Sequence, residues 1–171
     1  MPYTFVTGGA SSGKSGYALR LFRGRHDVTV IATGVRTDAE MERRIEAHRK
    51  ERPGTWETIE EPEDLISAME RMNPENRGVI IDCLTVWVSN LQYGKGYTSL
   101  DIIDRAKKTV SYIRDKDREV VVVSNELGMG IIPASEELRE FRKTAGEVNQ
   151  LFAADSAAAY FVVSGLIIKL R

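Results

Sequence analysis

An α/β fold, a mainly parallel sheet with helices on both faces and an antiparallel C-terminal hairpin, is what the sequence predicts. Three observations predict it. Strand-like runs alternate with helical periodicities through most of the chain, the pattern of parallel strands joined by crossover helices. The runs at 28–33, 78–82 and 119–124 are nearly continuous in apolar and β-branched residues, as strands covered on both faces are. The last two runs, 160–163 and 166–170, are split only by Ser164-Gly165, a hairpin signal.

Taken in order, Tyr3-Thr4-Phe5-Val6-Thr7 reads as the first strand, and 16–23 as the first helix with Tyr17, Ala18, Leu21 and Phe22 at helical spacing. Between them, Gly8-Gly9-Ala10-Ser11-Ser12-Gly13-Lys14-Ser15 fits G-x-x-x-x-G-K-[ST], a phosphate-binding loop in its required strand–turn–helix context. Glycines let backbone N–H groups wrap a polyphosphate. The helix that follows aims its unpaired N–H groups at the same anion. Lys14 would add a point charge for the β/γ-phosphates, and the Ser15 hydroxyl suits Mg²⁺. The motif specifies a nucleotide and leaves the reaction open.

The strand at 28–33 ends in Ala32, Thr33 and Gly34, at the sheet edge where ligands bind in such folds. A helix is expected over 38–52, with Asp38 as N-cap and Pro53 as terminator. Met41, Ile45 and His48 share one stripe of it, with Arg44, Arg49, Lys50 and Arg52 nearby and Glu46 and Glu51 interleaved. Periodicity alone makes His48 the margin of a core stripe; the alternative is a nucleophile or phosphate ligand beside arginines. A short strand at 56–59 and a helix at 63–72 follow, then Gly78-Val79-Ile80-Ile81-Asp82. An apolar strand ending in an acid partners a phosphate loop and holds its metal, so Asp82 joins Ser15 as a metal candidate. Together these features predict a P-loop domain of the RecA-like kind spanning 1–171.

Leu84 to Leu91 starts a helix with Trp87 and Leu91 inward, and 92–99, with two glycines, reads as the most flexible loop. A helix over 100–116 leads to the strand 119–124, which delivers Asn125, Glu126, Leu127 and Gly128 to the ligand edge. A long helix then runs from about Pro133 to Ala158.

The whole chain bounds these readings. At 171 residues, 42% hydrophobic and 29% charged, it has the composition of a soluble globular protein. The net charge of −1 gives no general pull toward nucleic acid or acidic membranes. No apolar run approaches the roughly 20 residues of a membrane span. Cys83 is the single cysteine, so there is no intrachain disulfide, which fits a reducing cytoplasm. No signal peptide is expected, since the first strand begins at once.

Several separate stretches resemble one family, the bifunctional adenosylcobinamide kinase / adenosylcobinamide-phosphate guanylyltransferases of cobalamin biosynthesis. They are Thr7 to Ser15; Ile31-Ala32-Thr33; Glu40-Met41 with Arg44-Ile45 and His48; and Arg52-Pro53 with Trp56, Thr58 and Glu60. Asp82 to Thr85, Trp87 to Leu91, Val123 to Glu126 and Gly128 to Ile131 with Pro133 continue the series, which closes with Phe141-Arg142, Gly146, Asn149-Gln150 and Val163 to Leu166. Two positions depart from the family's pattern: Ser11 stands where an arginine is common, and Leu166 to Ile168 lack a usual proline.

The resemblance implies ATP or GTP as phosphate donor to adenosylcobinamide, then GMP transfer from GTP through a guanylyl-histidine, which by motif is His48. It implies nucleotide contacts from the phosphate loop, from Ala32, Thr33 and Gly34, from Arg49, Lys50, Glu51 and Arg52, from Glu60 and from Asp82. Glu60 would meet guanine or ribose. It also implies Mg²⁺ and a homotrimer. Asn125, Glu126 and the 139–142 region fit either a corrinoid-side wall or ordinary cap and interface positions. Two other readings are a P-loop kinase of another small alcohol and a nucleotide-binding module with little chemistry. The absence of an N-K-x-D stretch argues against a Ras-type switch.

Overall fold

The computed structural model describes residues 3–171, the Arg44 side chain excepted. Seven strands form one sheet: β1 (Thr4–Gly8), β2 (Val28–Ala32), β3 (Glu57–Glu60), β4 (Gly78–Asp82), β5 (Glu119–Asn125), β6 (Ala158–Val163) and β7 (Leu166–Lys169). Their order is β3-β2-β4-β5-β1-β6-β7. All neighbours are parallel except β6 and β7, which pair antiparallel across Ser164-Gly165, as the hairpin signal predicts.

The helices are α1 (Lys14–Leu21), α2 (Ala39–Lys50), α3 (Leu65–Arg71), α4 (Leu84–Ser89), α5 (Ser99–Arg114) and α6 (Glu136–Asp155). Strand alternation sorts the core onto two faces. Val79, Ile81, Val120 and Val122 meet α3 to α6 through Leu65, Trp87, Ile102, Val148 and Phe152. Ile80, Val121 and Val123 point the other way, against Ala18 and Phe22 of α1 and against Trp56. Both faces are covered, one by four helices and the other thinly.

Most boundaries shift by one to three residues from the sequence reading, and three of the differences have a local cause. α1 starts at Lys14, two residues early, because Gly13 takes a left-handed φ of 96° that turns the chain straight into the helix. The expected loop at 92–99 is partly helical: Asn90–Gly94 is a π-helical turn after α4. Buried Leu91 anchors this turn, and Asn90 Nδ2 donates to the carbonyls of Thr33 (2.8 Å) and Pro62 (3.1 Å). These contacts outweigh the local glycine signal. α6 ends at Asp155, before the expected 158, where Ala157 N donates to Tyr3 O at 2.8 Å and opens β6.

Candidate nucleotide site

β1 runs in register from Thr4 to Gly8, and its last residue has no room for a side chain. A Cβ on Gly8 would sit 2.2 Å from the Val162 carbonyl oxygen. The loop after it is held internally: Ser12 N donates to Gly9 O at 3.3 Å, and Gly165 N from the β6–β7 turn donates to Ser12 O at 2.9 Å. The C-terminal hairpin therefore props the phosphate loop. α1 has no side-chain cap and no acid in its first turn, so its leading N–H groups are available to an anion. Lys14 is buried, and its Nζ donates to Gly9 O at 2.9 Å, folding the side chain along the loop.

The second wall comes from the strand order. β5 lies between β1 and β4, with Gly8 opposite Asn125 and Asp82 opposite Val123. Asn125 is fixed by Thr85 and Asn149: its N donates to Thr85 Oγ1 at 2.8 Å, and its carbonyl accepts from Asn149 Nδ2 at 2.9 Å. Glu126 N donates to Gly8 O at 2.9 Å, tying the end of β5 to the phosphate loop. Thr33 is fully buried and spends its hydroxyl on the turn after Asp82. Its Oγ1 donates to Cys83 O at 2.8 Å and accepts from Cys83 N at 2.9 Å. Burial and the adjacent Asp82 push the Cys83 thiol up to about 11.

The third wall is α2. Asp38 caps it, accepting from Met41 N at 2.8 Å, and acids at its start with basic residues at its end match the helix dipole. Its stripe of Met41, Ile45 and His48 is half-buried and lines the cleft. The core-margin reading of His48 therefore gives way to a cleft-facing one. Ile45 packs so closely on Gly34 that a Cβ there would come within 3.3 Å of it. Arg36 pairs with Glu42 (3.3 Å) and Glu46 (3.8 Å) on α2 and with Glu60 (3.5 Å) at the end of β3.

These walls enclose a narrow cleft of about 90 Å³ lined by Lys14, Ser15, Ala32, Thr33, Gly34, Met41, Ile45, His48, Arg52, Glu60, Asp82, Cys83, Val86 and Asn125. A larger groove of about 520 Å³ runs over the phosphate loop, lined by Ser11 to Gly16, Glu40, His48 and Glu51. The two share Lys14, Ser15 and His48. His48 thus stands where the two spaces meet, across from the phosphate loop.

The basic neighbourhood expected around His48 divides. Arg52 faces the cleft and donates to Thr58 Oγ1 at 3.3 Å. Burial lowers its guanidinium pKa, while Asp82 and Glu60 oppose that fall. Arg49 lines only a neighbouring hollow, which it shares with Arg52, Pro53, Gly54, Trp56 and Thr58, and exposed Lys50 lines neither the cleft nor the groove. Glu51 reaches only the groove. Successive helical residues turn by about 100°, so sequence neighbours of His48 cannot all face its way. The Arg44 side chain lies outside the described residues. Reading the sequence alone misses Arg36, Val86 and the Ser12–Gly165 bond; a two-residue turn signals the hairpin but not what it holds.

Residues 4–170 match the family model "Cobinamide kinase / cobinamide phosphate guanyltransferase". The chain is similar to the bifunctional adenosylcobalamin biosynthesis protein CobU of Escherichia coli (37% identity, over 97% of this chain and 98% of that one). It is similar to the bifunctional CobP of Pseudomonas aeruginosa (35% identity, over 97% and 95%). Among solved structures it overlays on the VirB11 ATPase of the Brucella suis type IV secretion system with a TM-score of 0.47 and 11% identity. That overlay covers 99% of this chain, which spans about half (48%) of that one.

Proposed function

The chain belongs to the cobinamide kinase / cobinamide phosphate guanyltransferase family, and from that premise we propose that its two reactions meet at His48. The protein is a bifunctional enzyme of adenosylcobalamin biosynthesis, a kinase and a guanylyltransferase. The observation that carries the proposal is the position of His48, shared by the cleft and by the groove over the phosphate loop.

In the first reaction the aminopropanol hydroxyl of adenosylcobinamide attacks the γ-phosphorus of ATP or GTP. A P–O bond forms, the β–γ anhydride breaks, the nucleoside diphosphate leaves and the hydroxyl proton passes to solvent. The N–H groups of the loop and α1, with Lys14, stabilise the charge on the transferred group. In the second reaction an unprotonated ring nitrogen of His48 attacks the α-phosphorus of GTP, forming a P–N bond and expelling pyrophosphate. The phosphate oxygen of adenosylcobinamide phosphate then attacks the same phosphorus. The P–N bond breaks, adenosylcobinamide-GDP forms and the imidazole is restored. Arg52, which lines the cleft with Lys14, would offset charge in this step. Glu60, ion-paired to Arg36, would accept from guanine or ribose.

Mg²⁺ fits the donor set: Ser15 and Asp82 offer hard oxygens in one cleft. Ser15 and Asp82 would hold the ion, which when bound neutralises phosphate charge. We read the chain as one nucleotide-binding domain from its length, as cytoplasmic from its single cysteine and as a homotrimer from the family resemblance, and sedimentation tests the subunit count. Among the described residues, no helix is long and apolar enough to cross a membrane.

Product analysis with His48→Ala tests the proposal. The variant should convert adenosylcobinamide to its phosphate at near wild-type rate and stop there. Formation of adenosylcobinamide-GDP by the variant would refute the role of His48.

A further inference from the structure

The loop that follows β5 exposes three large apolar side chains within four residues. Met129 is 78% exposed, Ile131 96% and Ile132 69%. Such a cluster on a surface marks a binding site more often than chance. Its backbone is held from below by α6. Arg142 Nη1 donates to the carbonyls of Gly130 (3.3 Å) and Ile131 (3.2 Å), and Arg139 Nη1 donates to those of Pro133 (3.0 Å) and Ala134 (2.6 Å). At the loop's start, Gly128 N donates to the Glu126 carboxylate. The polar side chains are spent on the backbone, and the apolar ones are left facing out on a fixed frame.

We infer that this loop is the docking surface for the corrin macrocycle of the acceptor substrate. The inference rests on the family's acceptor, cobinamide, and adds the residues that hold it. Three points support it. First, the cleft of about 90 Å³ has no space for a macrocycle, so only the arm bearing the aminopropanol hydroxyl enters, and the ring lies on an adjoining lip. Second, the loop leaves the sheet at Asn125, which lines the cleft, on the strand between the phosphate loop and Asp82. That is where the transferable end of the nucleotide would lie. Third, the α2 lip is the wrong chemistry: Glu40, Glu42, Arg43, Arg49 and Lys50 are all exposed there. The methyl-fringed rim of a corrin matches apolar side chains, and its amide arms match the polar groups around them.

Equilibrium dialysis of adenosylcobinamide, itself coloured, against wild type and Ile131→Asp tests this without relying on turnover. Ile131 is almost fully exposed, so the substitution leaves the core intact. The wild type should bind, and the variant should bind about 10-fold or more weakly. Binding of a fluorescent GTP analogue and the mass by light scattering should both stay unchanged. In the coupled assay the KM for adenosylcobinamide should rise while kcat at saturation stays within about 2-fold. Equal corrinoid binding by the two proteins would overturn the inference and leave the family function standing. A change in mass would overturn it in favour of a second copy covering the loop. No corrinoid binding by the wild type would sink both. Binding without phosphate transfer by the wild type would sink the kinase reading and keep the docking surface.

Discussion

The two walls that face each other across the cleft are built in opposite ways. The phosphate-loop wall is tied down from behind: Gly8 lies against Val162 O, Ser12 O accepts from Gly165, and Lys14 is buried along the loop. The α2 wall carries His48 on a helix with no fully buried residue among those described. It is held by the Asp38 cap, by Ile45 against Gly34 and by the exposed ion pairs of Arg36. A polyphosphate cradle gains from being preorganised. A histidine that takes GMP from one substrate and delivers it to another, as proposed for His48, would gain from a lighter tether. The difference fits the proposed division, with the phosphates held on the firmly tied wall and the guanylyl group taken by His48 on the lightly tied one.

The largest effect is expected at Lys14. Lys14→Ala should lower kcat/KM of both reactions by about 10²–10³-fold, measured as cobinamide-dependent nucleotide consumption and pyrophosphate release. Loss of only one reaction would mean the two do not share this wall.

Gly8→Ala tests rigidity. With a backbone oxygen where the methyl must go, it should cost about 3 kcal/mol or more and lower Tm by about 6–12 °C in a thermal melt. An unchanged Tm would show that the loop yields.

Arg36→Ala tests the lighter tether. Exposed pairs contribute about 0–1 kcal/mol, so Tm should stay within about 2 °C and the kinase step should be unaffected. Guanylyl transfer should slow by about 3–10-fold as α2 loses its link to Glu60. Equal slowing of both reactions would place Arg36 with the phosphate wall.

The smallest effect concerns Cys83, at the foot of the cleft. Its thiol is held up to about 11 by burial, so at pH 8 it is overwhelmingly protonated and should resist iodoacetamide. Its alkylation rate should keep rising with pH beyond 9, the ordinary thiol value, and should jump on unfolding in urea. Ready alkylation of the folded protein at pH 8 would show that the strand wall behind Asp82 opens.

Much of the phosphate wall is legible in the sequence because it is contiguous: eight residues from Gly8 to Ser15 carry loop, cap and lysine together. Asp82 is legible because an apolar strand must end somewhere, and it ends on an acid. The α2 wall is less so. His48 faces the cleft only because α2 lies across from the phosphate loop, a tertiary placement that periodicity cannot supply; the family resemblance supplies it instead. Arg49 and Lys50 look equivalent to Arg52 in sequence and are not, since helical rotation turns them away. Arg36 and Gly165 act over distances in sequence that no local pattern spans. The turn at 90–94 shows the reverse: two glycines signal flexibility, while Leu91 and Asn90 bind the segment to the core.

The most direct test of the central claim is to incubate the protein with Mg²⁺ and α-³²P-GTP, denature it, and run a gel beside His48→Ala. Acid-labile, base-stable label on the wild type and none on the variant is the predicted result. Equal label on both, or none on a wild type that still makes adenosylcobinamide-GDP, would contradict a guanylyl group carried by His48.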